Sequence, residues 1–260
     1  MFFEKLLVAL TLITGIFWII NKFCKNTNNT KLKMVLDVVD YVGSFFVIFL
    51  IVLILRTFLI EPYRIPSGSM KPSLVEGDYI LVNKYKYGLR LPIIHKKILS
   101  IGMVQRGDVI IFWNEQSKKV LIKRVVGIPG DQVSYKQQKL YINNTLVPTE
   151  DKGIVADRGL KFIAHRKTEM LSDKVHHDIY VDPNRMVEHP FDNVVVGKDS
   201  YFVMGDHRDD SADSRFFGLV SDRDILGKAF FTWFSFDWNN KVFRFDRVCK
   251  SAVKKRSLGR

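Results

Sequence analysis

The chain has 260 residues, an ordinary apolar share of 47% and a formal charge of +13. That length allows one large domain or two modest ones, and the two cysteines, Cys24 and Cys249, form no CxxC pair and no disulfide framework. The positive charge invites a nucleic-acid reading, but the basic residues are dispersed outside the tail at 250–260 and no helix-turn-helix or zinc-finger pattern accompanies them, so anionic lipid explains the excess at least as well and no nucleic-acid partner is expected.

Leu6 to Ile20 is an almost unbroken apolar run, short for a membrane span. Its weak n-region, and the lack of a small-x-small cleavage site after Ile20, predict an uncleaved anchor rather than a removed signal peptide. A polar stretch with Lys22, Lys25, Lys31 and Lys33 follows. Tyr41 to Ile60 is a second apolar run with no charge between Asp40 and Arg56. Twenty helical residues at about 1.5 Å each match the roughly 30 Å of a hydrocarbon core. Short lysine-rich loops stay cytoplasmic, so both the N-terminus and everything beyond Ile60 are expected outside the cytoplasm. The predicted organisation is a span at 1–21, a cytoplasmic basic loop at 22–40, a second span at 41–60 and an extracytoplasmic domain at 61–260.

Directly after the second run comes Ile65-Pro66-Ser67-Gly68-Ser69-Met70-Lys71-Pro72. The prolines stiffen it and Gly68 permits a turn, so the segment either presents Ser69 or is a bland linker. From Tyr79 onward short β-branched and aromatic runs read as strands: 79–82, 108–112, 120–126, 132–135 with 139–142 as a hairpin, 194–196, 201–204 and 228–234. Residues 149–192 are more polar and irregular, which suggests an inserted subdomain. The expected class is mainly β: two N-terminal transmembrane helices, then an all-β domain with that excursion and a basic tail at 250–260.

A serine nucleophile needs a base. The six histidines, His95, His165, His176, His177, His189 and His207, have no triad-like setting in the sequence and read as surface residues, and no metal site is expected from them. Lys123 is the other option. Alternation puts it on one face of its strand with Leu121 and Val125, and Arg124 on the other with Ile122 and Val126. Buried, its ammonium would be disfavoured and its pKa lowered; at a sheet edge it would face solvent, and the strand alone leaves both open. The stretch Gly205 to Gly218 is dense in Asp, Ser and Arg and reads as a braced loop, with a calcium loop as rival.

In this order the stretches resemble bacterial type I signal peptidase (leader peptidase), in its Gram-negative two-span form. Residues 65–74 resemble its serine box, 107–112 the strand box, 123–131 the lysine box and 205–218 its last box. The resemblance implies a membrane-bound serine endopeptidase, without cofactor or metal, that removes signal peptides from precursor proteins after small residues. It also implies that the chain lies in the bacterial inner (plasma) membrane with its catalytic domain periplasmic. It assigns Ser69 as nucleophile, Lys123 as general base, Ser67 as oxyanion donor and Ser211 as the hydroxyl that orients the lysine. Asp206, Arg208, Asp213 and Arg215 match residues that brace the site; Ile65, Pro66, Met70, Leu74 and Ile122 would line small apolar substrate pockets. Precursors and membrane lipid are the expected partners, with the oligomeric state left open. His207 departs from the asparagine common there, Phe216-Phe217 from an aromatic-Trp pair, and Ser73 from the frequent threonine. Two other readings are another Ser-Lys peptidase of related fold, such as a self-cleaving repressor-type protease, and a non-enzymatic membrane-tethered β-domain that binds exported chains.

Overall fold

A computed structural model describes residues 2–24, 30–90, 97–155, 163–184, 191–238 and 240–251. The chain forms two compact units, residues 1–61 with 88–100, and residues 62–87 with 101–260.

The first unit is built on helices α1 (Phe2–Cys24), α2 (Thr30–Ser44) and α3 (Phe46–Ile54), the last passing into a π-helical turn at Leu55–Leu59. The basic stretch expected as a loop at 22–40 is thus helical up to Cys24 and again from Thr30. Lys5–Phe23 and Asp37–Ile54 are long and apolar enough to cross a membrane. Glycines let these helices approach closely: a Cβ on Gly43 would lie 3.0 Å from the Trp18 backbone, and one on Gly15 3.0 Å from the Phe46 ring.

The strands run in chain order as β1 (Ile60–Arg64), β2 (Asp78–Asn83), β3 (Leu89–Arg90), β4 (Lys97–Leu99), β5 (Val109–Asn114), β6 (Lys119–Gly127), β7 (Gln132–Lys136), β8 (Lys139–Ile142) and β9 (Thr145–Leu146). They continue as β10 (Thr149–Val155), β11 (Ala164–Ser172), β12 (Val175–Val181), β13 (Phe191–Val195), β14 (Ser200–Met204), β15 (Val220–Ser221), β16 (Ile225–Asp237) and β17 (Val242–Phe243). The fold is mainly β, as its alternating runs predict. The main sheet has the order β1-β2-β16-β5-β6-β14-β15, with β17 paired to β16. The excursion is itself β structure: β10-β11-β12 form an antiparallel sheet, and β13 joins β7-β8-β9.

Strand β6 lies inside the main sheet, between β5 and β14. Its burial runs from exposed at Lys119 to complete at Val125 and Val126. The solvent-edge alternative for Lys123 is thereby removed, because both flanks of the strand are hydrogen-bonded. One core cluster, Ile65, Met70, Leu74, Ile80, Val82, Val109, Ile111, Ile122 and Ala229, packs the turn at 65–74 onto β2, β5, β6 and β16. The turn is closed by Lys71 N–H to the Gly68 carbonyl (2.9 Å) and Leu74 N–H to the Met70 carbonyl (3.0 Å).

Candidate active site

The turn at 68–74 delivers Ser69 to β6, where Lys123 Nζ donates to Ser69 Oγ at 2.7 Å. Lys123 is 3% exposed. Burial disfavours its ammonium and lowers its pKa to about 8, although Asp213 and Asp206 pull the other way. No carboxylate forms an ion pair with it among the described residues. A half-buried hydroxyl against an amine that is readily neutral is an arrangement for proton transfer from oxygen to nitrogen.

The loop at 205–218 frames this pair. His207 N–H donates to the Ser69 carbonyl (3.1 Å). A side chain on Gly205 would strike Ser211 and the Ser69 carbonyl, so only glycine fits that approach. Asp213 caps the short helix α4 (Ser214–Phe217), accepts from Gly205 N–H (3.0 Å) and holds Arg215 Nε (2.9 Å) and Nη2 (2.9 Å). Arg215 Nη2 also reaches the Arg208 carbonyl (2.5 Å). Asp206 accepts Arg124 Nε (2.8 Å) and Nη2 (2.7 Å) on the face of β6 opposite Lys123.

The other expected residues divide. Ile65, Met70, Leu74 and Ile122 are all buried in the core cluster under the turn, whereas Pro66 is exposed. Ser67 is exposed, and its hydroxyl has no hydrogen-bond partner among the described residues. Ser211 stands beside Gly205, yet among the described residues its buried Oγ makes no hydrogen bond, to Lys123 or otherwise. Among the described residues no group of three His, Cys, Asp or Glu is arranged to hold a metal ion.

The surface assignment of the histidines is corrected for His177 and His207, each only 2% exposed, while His95 and His189 fall outside the described residues. His177 sits on β12 opposite Glu169 of β11. Glu169, 1% exposed, binds Arg208 Nη1 (2.7 Å) and Nη2 (2.5 Å). Burial works against the Glu169 charge, but Arg208 more than offsets it and holds the carboxyl below the usual range. Burial likewise keeps His177 neutral, pushing its pKa well down with help from Arg124. The excursion also grips the loop through its backbone: Tyr180 N–H donates to the Asp206 carbonyl and Arg208 N–H to the Tyr180 carbonyl, both at 2.9 Å. Sequence reasoning missed Glu169 as a member of this framework. Its signal is faint: on β11 it shares a face with the buried Leu171, where an acid is unexpected without a partner.

Similar proteins bear on what this site does. A family model described as signal peptidase, peptidase S26, matches residues 38–234. Signal peptidase I of Pseudomonas aeruginosa is 43% identical, over 76% of this chain and 72% of its own. Its counterpart in Pseudomonas fluorescens is 45% identical over the same shares. That of Buchnera aphidicola subsp. Schizaphis graminum is 34% identical over 89% of this chain and 91% of its own. With most of its length accounted for in this way, the chain belongs to the signal peptidase family, peptidase S26.

Proposed function

We propose that this chain is a signal peptidase in which Ser69 is the nucleophile and Lys123 its general base. The observation that carries the assignment is the 2.7 Å contact between Ser69 Oγ and the buried Lys123 amine. Membership of the family makes the chain a membrane-anchored serine peptidase whose substrates are precursor proteins with signal peptides.

The chemistry is acyl transfer. Neutral Lys123 takes the Ser69 proton as Oγ attacks the carbonyl of the scissile bond. The Ser67 hydroxyl and the Ser69 N–H stabilise the oxyanion, an interaction worth about 2.7–4 kcal/mol per donor. Protonated Lys123 then gives its proton to the leaving amine, which breaks the peptide bond and leaves the signal peptide as an ester on Ser69. A water, deprotonated by Lys123, hydrolyses that ester. Ser211 steadies the lysine through its position beside Gly205, with Asp206, Arg208, Asp213 and Arg215 holding the loop in one shape. Pro66 supplies exposed apolar surface for small side chains ahead of the cut, with Ile65, Met70, Leu74 and Ile122 packed beneath it.

The domain reading accompanies this: spans at 1–21 and 41–60, a cytoplasmic basic segment at 22–40, and a catalytic domain at 61–260 on the periplasmic side of an inner membrane. The lysines at 22–33 support that orientation. Cleavage of a purified precursor tests the core of the proposal. Ser69→Ala and Lys123→Met are each expected to lose about 10⁴-fold or more in kcat, and full cleavage by either variant sinks the assignment.

A further inference from the structure

Arg124, whose neighbour Lys123 points to the other face of β6, lines a cavity of about 550 Å³. That size falls within the roughly 300–1,000 Å³ of clefts that hold small ligands. Its wall carries Lys71, Arg124, Arg166, Arg247 and Lys250 against one acid, Asp178. Four of these cations already meet a carboxylate: Arg124 meets Asp206, Arg166 meets Asp178, Arg247 meets Asp78 and, at a looser 3.5 Å, Lys250 meets Asp246. The anchoring uses Nε and Nη2 of Arg166 and of Arg247, and leaves both Nη1 groups without a partner among the described residues. His177 belongs to the same wall; it is 2% exposed and neither ring nitrogen makes a hydrogen bond. Its Nε2 lies 3.4 Å from Glu169 Oε2 and 3.6 Å from Asp206 Oδ1 without hydrogen-bond geometry.

The carboxylates that pair these cations take up only part of their donors, so an anion entering the recess still meets N–H groups that no acid occupies. Guanidinium forks fixed from one side present their remaining N–H groups at no further ordering cost, and those groups match the oxygens of a phosphate. We propose that this cavity is a binding site for a phosphate-bearing anion, held by the Nη1 groups of Arg166 and Arg247 and by Lys250. The group comes either from an anionic phospholipid headgroup or from a soluble phosphate ester. Its occupation braces the turn that presents Ser69: Ser73, at the end of that turn, accepts Arg124 Nη2 on its hydroxyl (3.2 Å) and Arg247 Nη2 on its carbonyl (3.0 Å).

The site is tested without substrate, so its failure is separate from any failure of the cleavage assignment. Thermal unfolding of the full chain in nonionic micelles is titrated with inorganic phosphate, against chloride at equal ionic strength. A parallel arm uses short-chain phosphatidylglycerol against phosphatidylcholine. A saturable rise in Tm of about 5–10 °C at a hundredfold excess over Kd is expected. It should be lost in the double variant Arg166→Gln, Lys250→Gln and kept in Lys250→Arg. Both substituted side chains are partly exposed, at 43% and 57%, so the unliganded double variant should unfold within a few degrees of the parent. A rise with inorganic phosphate supports a soluble ester, and a rise with phosphatidylglycerol alone supports a headgroup. No saturable rise in either arm, or an equal rise in the double variant, overturns the proposal.

Discussion

Lys123 and Arg124 are adjacent on β6, carry the same formal charge and are almost equally buried, at 3% and 1% exposure. Their surroundings differ in one respect. Arg124 donates two hydrogen bonds to the Asp206 carboxylate and further ones to the Gly107 carbonyl and the Ser73 hydroxyl. Among the described residues, the Lys123 amine hydrogen-bonds only to the Ser69 hydroxyl. A buried cation with a matched acid stays charged and becomes a strut; one without an acid gives up its proton easily and becomes a base. The strand's alternation therefore separates a structural face from a chemical one within a single step of the backbone.

The largest test of that contrast removes the strut. Arg124→Met leaves Asp206 buried and unpaired, and should cost about 3–5 kcal/mol, seen as a Tm lowered by roughly 10 °C or more. A Tm within a few degrees of the parent would mean that the pair carries little of the loop's stability.

Removing the base should act the other way. In the folded chain Lys123 has its pKa lowered to about 8 from an unfolded value of 10.5. Below pH 8 both states are protonated and the folded state bears the full penalty, about 3 kcal/mol. Between 8 and 10.5 the unfolded state binds more protons, so stability rises with pH until the penalty is gone. Lys123→Met is thus expected to stabilise the inactive protein by about 3 kcal/mol at pH 7 and to have no such effect above pH 10.5. Denaturant unfolding at both pH values checks this, and a destabilised variant at pH 7 contradicts it.

The same depressed pKa sets the activity profile. Only neutral Lys123 accepts the Ser69 proton, so kcat/KM should rise tenfold per pH unit and level off near pH 8. At pH 6 it should stand about a hundredfold below the plateau. A flat profile between pH 6 and 9 would remove lysine as the base.

The smallest expected effect concerns Ser211. Its buried hydroxyl makes no hydrogen bond, so Ser211→Ala should not lower Tm and can raise it slightly by relieving an unsatisfied polar group. If the hydroxyl orients Lys123 during turnover, kcat falls about tenfold at unchanged Tm. Unchanged kcat would leave Ser211 as packing against Gly205 only.

Much of this contrast was legible in the sequence. Period-two alternation assigns Lys123 and Arg124 to opposite faces, and the Pro-Ser-Gly-Ser stretch offers a presented hydroxyl with a bland linker as its rival. Alternation names the faces but not which of them is covered. For Lys123 that depends on β5 and β14 flanking β6 and on a loop more than eighty residues away in sequence. The excursion was harder still. Glu169 and Arg208 are 39 residues apart, and nothing local says that a polar, irregular stretch folds back to bury an acid, an arginine and a neutral histidine together. His177 reads as a surface histidine because its own neighbours are polar.

By itself the sequence determined the two apolar helices, the β class of the remainder, the order of the four boxes and the face on which each charged residue of β6 stands. These follow from local chemistry: apolar length, backbone stiffness and strand periodicity. Only the tertiary structure decided which charges meet a partner. Burial and pairing are made by segments that are distant along the chain, and it is the presence or absence of a carboxylate across that distance that makes Arg124 a strut and leaves Lys123 ready to take a proton.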